Sequence, residues 1–265
     1  MAQTAITFSN VSKRFKDTNH RKEEQGFKAV DQISFEVQEG ELITILGSSG
    51  CGKTTLLKMV NRLYDPDEGD IILFGENSKE VDPVTVRRRI GYVIQQSGLF
   101  PHMTIEENIA TVPKLLKWDK QKLTTRCKEL MELVGLSYDQ YAHRYPHELS
   151  GGQQQRIGLA RALAVNPKIM LMDEPFGAID AINRLNLQEE LKRIHQETGK
   201  TILFVTHDIN EAFKLGDRVM IMNEGKICRF DTPKNIVHDP QDAFTKSLVA
   251  SALSEEAFWR EYREA

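Results

Sequence analysis

The stretch GSSGCGKT, from Gly47 to Thr54, decides the fold. It matches the pattern G-x-x-x-x-G-K-[S/T] at every fixed position. An apolar run, ELITILG, leads into it, and TTLLKMVNRL follows it with the spacing of a helix. A glycine-rich loop between a buried strand and a helix is the setting in which such a loop binds phosphate.

The chemistry of this loop follows from its residues. Glycines let successive backbone N–H groups turn toward one anion, and the start of the following helix adds a partial positive charge. We predict that Lys53 reaches the β- and γ-phosphates of a nucleotide and that the Thr54 hydroxyl binds Mg²⁺. The predicted phosphate-binding residues are Gly47, Ser48, Ser49, Gly50, Cys51, Gly52, Lys53, Thr54 and Thr55.

Composition narrows the class of protein. The chain has 265 residues, of which 40% are hydrophobic and 28% are charged, an ordinary globular balance. Its net charge of -3 does not indicate nucleic-acid binding, which is typical of basic proteins. No apolar run is long enough to predict a transmembrane helix, and the first residues lack the apolar core of a secretory signal. Cys51, Cys127 and Cys228 are scattered and odd in number, which fits a reducing cytosol.

Apolar strands alternate with amphipathic helices along the chain. IGYVIQQ, KIMLMDEP and TILFVTHD are predicted strands. The pattern is helical from about Met103 to Val165, and a further helix is closed by Gly199. The charged segment at residues 17–26 is predicted to be a solvated loop between two early strands. We therefore predict an α/β fold with a mostly parallel sheet and an inserted helical part.

Helical periodicity identifies the residues that face the core. One helix carries Leu123, Cys127, Leu130, Met131 and Val134 on a single face. The helix closed by Gly199 carries Leu187, Leu191 and Ile194 in the same way.

Polar residues follow the predicted strands. Asp173 and Glu174 end IMLMDEP, at the edge of an open α/β sheet where ligands bind. Asp173 would orient Mg²⁺ through its water shell, and Glu174 would act as general base toward the attacking water. The alternative interpretation is that Asp173 and Glu174 are two solvated carboxylates at the end of a strand. His207 precedes a helix that Asp208 is predicted to cap, so His207 could have no functional role. Gln95 could be an ordinary surface glutamine.

LSGGQQQR, from Leu149 to Arg156, is an unusual helix start, since glycine costs about 1 kcal/mol relative to alanine inside a helix. Without side chains, such a start exposes backbone N–H groups to an anion, and Ser150 adds a hydroxyl donor. The chain then has a second phosphate-binding helix start, about 100 residues after the first. A single nucleotide does not need both, so we predict that a head-to-tail dimer completes two sites.

These motifs together resemble the ATP-binding subunit of ABC transporters, over about Ile6 to Val237. GSSGCGKT is similar to the family's Walker A loop, LSGGQ to its signature motif and IMLMDEP to its Walker B strand. GAID, with Asp180, is similar to the loop that follows, although the common form is S-A-L-D.

The resemblance implies roles for the remaining candidates. His207 would be the switch histidine that contacts the γ-phosphate. Gln95 would contact Mg²⁺ and sense the membrane partner. Phe15 would stack on adenine, with Phe27 as a rival. The signature residues Ser150, Gly151, Gly152 and Gln153, together with Asp180, would bind nucleotide in the dimer.

The resemblance also implies an architecture, cofactors and partners. Residues 1–95 and 165–235 would form a RecA-like P-loop NTPase core that has a mostly parallel sheet and an antiparallel β part. Residues 96–164 would form an inserted helical signature subdomain, and 236–265 a C-terminal helical tail. The cofactors would be ATP and Mg²⁺. The partners would be a second copy, membrane permease subunits and a solute-binding protein or fused binding domain, at the cytoplasmic face of the membrane. No nucleic-acid partner is expected.

A finer resemblance concerns the transported molecule. KMVNRLYDPDEG and RYPHELSGGQQQR look like importer subunits for glycine betaine, choline, carnitine and related quaternary amines. Other amino-acid-type importers remain an alternative. A soluble nucleic-acid ATPase would need long coiled coils between the two motifs, and a simple P-loop kinase would leave LSGGQ and His207 without a role.

Overall fold

The computed structural model describes residues 3–16, 27–95, 98–177 and 179–264. The predicted solvated loop at residues 17–26 lies outside these ranges. The chain divides into two compact units: Met1–Glu80 with Phe204–Ala265, and Val81–Leu203.

The strands of the described residues are β1 (Thr4–Phe15), β2 (Phe27–Gln38), β3 (Leu42–Gly47), β4 (Glu68–Leu73), β5 (Glu76–Asn77), β6 (Ile90–Val93), β7 (Ile169–Asp173), β8 (Thr201–Thr206), β9 (Arg218–Asn223) and β10 (Lys226–Asp231). The helices are α1 (Lys53–Val60), α2 (Pro83–Arg88), α3 (Ile105–Ile109), α4 (Thr111–Leu115), α5 (Lys120–Leu133), α6 (Tyr138–Tyr141), α7 (Gly151–Leu163), α8 (Ala181–Thr198), α9 (Ile209–Leu215), α10 (Pro233–His238) and α11 (Ala243–Glu264). Short 3₁₀ turns occur at Ser78–Glu80 and Pro146–Glu148.

The first unit contains an antiparallel sheet in the order β2-β1-β4-β5. It also contains β3, which pairs in parallel with β9, and β9 pairs antiparallel with β10. Every residue of β3 is buried, as its apolar sequence predicts for a central strand. Helix α9 packs on this strand, where the Thr44 hydroxyl donates a hydrogen bond to the Ala212 carbonyl over 2.9 Å.

The second unit contains a parallel pair, β6 and β7, in which Tyr92 lies opposite Leu171. Helices α3 to α7 occupy the region predicted to be helical. On the predicted apolar face around α5, Leu123 is half-buried and the other four residues are buried, which confirms the spacing argument. In α8 the predicted residues Leu187, Leu191 and Ile194 are buried, and Gly199 ends the helix in a left-handed conformation.

These pairings confirm the predicted α/β class with parallel strands and an additional antiparallel sheet. Two helices, α10 and α11, follow β10. Near the start of α11, Phe244 and Leu248 pack against a buried cluster that includes Val249 and Ile221, and this packing stabilises the helix. Within the described ranges, no helix combines the length and apolar character that a membrane crossing requires.

Candidate functional site

The loop that follows β3 folds tightly around the side chain of Lys53. Its ammonium donates hydrogen bonds to the carbonyls of Gly47, over 2.7 Å, and of Ser48, over 2.9 Å. Lys53 is only 6% exposed, while the loop residues Ser48, Ser49 and Gly50 are exposed. A buried cation therefore lies beneath an exposed loop of backbone at the start of α1.

Gly52 makes this turn possible. Its φ of +108° lies in the left-handed region, which an L side chain rarely adopts. A Cβ at this position would lie 2.1 Å from the Ala29 carbonyl oxygen. The glycine is thus required both by backbone conformation and by the close approach of β2.

The hairpin between β9 and β10 supports the same loop, and the sequence carried no signal for this contact. The Ser48 hydroxyl donates to Asn223 Oδ1 over 3.4 Å, and the Gly225 N–H donates to the Cys51 carbonyl over 3.1 Å. Burial raises the pKa of the Cys51 thiol, although Lys53 lies close to it. Cys51 therefore packs as a small apolar residue in its protonated form.

Phe15 and Phe27, the two candidates for the adenine contact, lie opposite each other in the β1–β2 ladder. Phe15 is half-buried, and its ring meets Tyr64 edge to face with the centroids 5.2 Å apart. Phe27 is 59% exposed. The structure therefore keeps both aromatic rings at one end of the ladder, with more ring surface available on Phe27.

His207 is exposed and directly follows β8. The turn after it is fixed by a buried hydrogen bond of 2.7 Å from the Thr206 hydroxyl to Glu211. Asp208 accepts from the N–H groups of Asn210 and Glu211, so the predicted helix cap is present. The cap accounts for Asp208 and leaves His207 outside the helix.

In the second unit, Gln95 and Glu174 lie in direct contact. The Gln95 side-chain N–H donates to Glu174 Oε2 over 3.1 Å, across 79 residues of sequence. Glu174 follows β7 with a φ of +46°, a left-handed conformation that costs about 1 kcal/mol or more for a residue other than glycine. Such strain is typical of functional turns.

Asp173 and Thr54 offer the oxygen donors that Mg²⁺ prefers. Asp173 ends β7 and is half-buried, and Thr54 lies in the first turn of α1. Over the described ranges, no group of three or more His, Cys, Asp or Glu residues is arranged to hold a metal. Each of these two side chains presents an oxygen ligand of the kind that Mg²⁺ accepts, and Mg²⁺ binds few protein ligands because it keeps several waters.

Ser150 begins α7 as the N-cap of a capping box. Its hydroxyl oxygen accepts from the Gln153 N–H over 3.3 Å, and Gln153 Oε1 accepts from the Ser150 N–H over 2.9 Å. The Ser150 O–H remains able to donate. A Cβ built on Gly151 or Gly152 would meet nothing within 4 Å, so the packing of this chain does not require glycine there.

Asp180 caps the next helix, α8, and is exposed. It accepts from the side-chain amide of Asn183 over 2.7 Å and from its backbone N–H over 3.1 Å. The side-chain hydrogen bond from Asn183, followed by the backbone one, holds the pKa of Asp180 below its usual value. The carboxylate at the end of GAID is therefore already used in a helix cap.

Comparisons with known proteins agree with this geometry. A family model described as ABC transporter matches residues 30–177. The chain is 52% identical over 244 residues to the choline transport ATP-binding protein OpuBA of Bacillus subtilis (strain 168), covering 92% of this chain and 62% of that protein. It is 54% identical over 224 residues to the glycine betaine/carnitine/choline transport ATP-binding protein OpuCA of the same organism, covering 84% and 59%. The chain thus spans less than two thirds of the length of these relatives.

Solved structures show the same fold. The dimeric structure of a post-hydrolysis state of the ATP-binding cassette MJ0796, bound to ADP and Pi, matches with a TM-score of 0.75 and 33% identity. The match covers 86% of this chain and 98% of that one. The family model spans more than half of the chain, and both the P-loop and the Glu174 turn lie within it. This protein therefore belongs to the ABC transporter family and carries the family's ATP-binding domain.

Proposed function

We propose that the chain binds and hydrolyses ATP as a subunit of an ABC importer, in which two copies sandwich two nucleotides. The proposed cargo is a quaternary amine such as glycine betaine, choline or carnitine, because relatives at about half identity carry those names. The partners are membrane permease subunits and a solute-binding protein or binding domain, at the cytoplasmic face of the membrane. An importer of another amino-acid type is the alternative cargo class.

The observation that carries this proposal is the pair of helix starts at Lys53 and Gly151. The first, in α1, has a buried cation and an exposed backbone loop. The second, in α7, has two glycines that its own chain does not require. A second copy whose nucleotide lies against α7 explains why those glycines are there.

Each phosphate-binding residue then has a role. Lys53 binds the β- and γ-phosphates, as other loop residues donate backbone N–H groups. Thr54 and Asp173 would hold Mg²⁺, to which their oxygens are suited. Mg²⁺, when bound, neutralises charge on the phosphate oxygens. His207 contacts the γ-phosphate. Asp180, at the start of α8, binds nucleotide in the dimer.

Glu174 acts as general base toward the attacking water. Gln95 donates to Oε2 of its carboxylate, and a carboxylate can accept a proton from the attacking water. Because an amide is neutral, this contact orients the carboxylate without neutralising it. A membrane partner that displaces Gln95 would therefore change its hydrogen bond with Glu174.

Mixing two inactive variants tests the sandwich. Ser150→Ala should lower hydrolysis at the partner's nucleotide, and Lys53→Ala should abolish phosphate binding in its own chain. We call the phosphate-binding loop at residues 47–55 the cradle and residues 150–153 the signature. A mixed dimer of the two variants has one site with an intact cradle and an intact signature. Its activity should therefore return to about half that of wild type per dimer. Phosphate release from mixtures at several ratios measures this; no recovery at any ratio contradicts the sandwich.

Single alanine variants of the two aromatic residues identify the adenine contact. Loss of a base-stacking ring weakens binding by about 1–3 kcal/mol, or roughly five- to 150-fold. Fluorescence titration with a labelled ATP analogue measures the dissociation constant for Phe15→Ala and Phe27→Ala. We expect the larger loss for Phe15→Ala, and a larger loss for Phe27→Ala would assign the contact to Phe27 instead. Tyr64→Ala serves as a control for the packing of Phe15.

Affinity purification from gently solubilised membranes of the native host tests the importer assignment. A tagged chain should recover a multi-span permease, which can then be assayed in vesicles with radiolabelled betaine, choline and carnitine. Recovery of soluble or nucleic-acid-bound proteins alone would contradict the transporter assignment. Recovery of a permease that moves none of these amines would support the role as a transporter ATPase and contradict the proposed cargo.

A further inference from the structure

A small cavity in the unit Val81–Leu203 lies where α7, α8 and the turn after β7 meet. Met172, Pro175 and Phe176 line it on either side of the Glu174 turn. Gln155 and Arg156 of α7 and Glu190 of α8 supply its polar lining, and we call these three residues the polar junction. The junction therefore lies between the signature helix and the turn that carries the general base.

Arg156 connects three helices through one guanidinium group. Its Nη2 lies 3.1 Å from Glu190 Oε2, and the two side chains are 28% and 12% exposed. Its Nη1 donates to the Val134 carbonyl, at the end of α5, over 3.3 Å. The middle of α7 is thus attached to α8 and to the end of α5 through a single side chain.

The polar junction is incompletely satisfied. Gln155 is only 7% exposed, and its side-chain nitrogen has no hydrogen-bond partner among the described residues. Glu190 Oε2 contacts Arg156 without the alignment of a hydrogen bond. Burial raises the pKa of Glu190, against the opposite effect of Arg156 and Arg193. A half-buried, poorly aligned pair of this kind contributes little to stability, so its presence needs another reason.

We propose that the Arg156–Glu190 ion pair is a positioning device that holds the start of α7 in the orientation required by the partner copy's nucleotide. This inference rests on the ATP-sandwiched dimer of the proposed function. Arg156 follows Ser150 by six residues, or about 9 Å along the helix axis. A rotation of α7 about this attachment displaces Ser150 and the bare N–H groups of Gly151 and Gly152. The effect falls on the partner's nucleotide and spares the nucleotide in the chain's own cradle.

Mixed dimers with one dead cradle test this directly. One chain carries Lys53→Ala, and two different tags purify the mixed dimer. When Glu190→Gln is placed on the Lys53→Ala chain, its signature faces the working cradle, and we expect kcat to fall about tenfold with little change in KM for ATP. When Glu190→Gln is placed on the other chain, its signature faces the dead cradle, and we expect no loss.

Two further variants separate positioning from folding. The double variant Arg156→Met/Glu190→Met replaces the pair with apolar side chains, an exchange that is often neutral for stability, and should show the same asymmetry. Glu197→Gln removes a carboxylate from the exposed Arg193–Glu197 pair of the same helix and should change neither arrangement. Thermal unfolding of each variant identifies any loss of fold.

Equal losses in the two arrangements would overturn the inference, since a general defect in folding does not depend on which cradle works. No loss in either arrangement would overturn it as well. Ser150→Ala, placed in the same two arrangements, is the reference. If Ser150→Ala shows no asymmetry, the sandwich itself fails; if Ser150→Ala is asymmetric and the Glu190 variants are not, only the role of the ion pair fails.

Discussion

Replacing Glu174 with Gln is expected to slow ATP hydrolysis by about 10²–10⁴-fold while ATP binding persists. The substitution removes the carboxylate that accepts the proton from water and keeps the size of the side chain. Gln95 can still donate to the new amide oxygen at the position of Oε2, so the turn after β7 should keep its conformation. Phosphate release measures the first effect, and retention of radiolabelled ATP on the protein measures the second.

Glu197→Gln is the matched control for this variant. Glu197 lies on α8 with a side chain that is 48% exposed, and it pairs with Arg193 over 2.8 Å. An exposed pair of this kind contributes little, so the control should hydrolyse ATP at the wild-type rate. A Glu174→Gln rate within threefold of wild type would place the general base elsewhere.

Replacing Gly151 with Leu is expected to leave the nucleotide-free protein as stable as wild type and to lower hydrolysis about a hundredfold. A side chain at this position meets no atom of its own chain within 4 Å, and leucine favours a helix by about 1 kcal/mol over glycine. The new side chain occupies the space in front of α7 that the partner's nucleotide requires. Thermal unfolding and phosphate release measure the two effects.

Lys120→Leu provides the comparison, because Lys120 is the first residue of α5 and is exposed. It places a leucine at another helix start and should change neither stability nor hydrolysis. Gly52→Ala gives the opposite comparison: its Cβ would lie 2.1 Å from a backbone oxygen, so the loop itself should be disrupted. Unchanged hydrolysis by Gly151→Leu would mean that no ligand approaches α7.

Local patterns explain what could be predicted from the sequence. The P-loop, the end of β7 and the start of α7 each depend on a short run of residues whose spacing sets the backbone, so their positions were predictable. The burial of Leu187, Leu191 and Ile194 followed from helical spacing in the same way.

Contacts between distant residues could not be predicted in this way. Gln95 and Glu174 were assigned separate roles, and only the folded chain brings them together across 79 residues. The support of the P-loop by Asn223 and Gly225 depends on a hairpin far along the chain. The Arg156–Glu190 pair joins two helices. In the sequence, both residues look like ordinary solvated charges, because charged residues are mostly exposed.

The central claim is that ATP brings two copies of this chain together. Light scattering of the Glu174→Gln variant, with and without saturating MgATP, tests it most directly because hydrolysis cannot then separate the copies. The account predicts a mass equal to that of one 30.2 kDa chain without nucleotide and twice that mass with MgATP. A variant that binds ATP and keeps the mass of a single chain would contradict it.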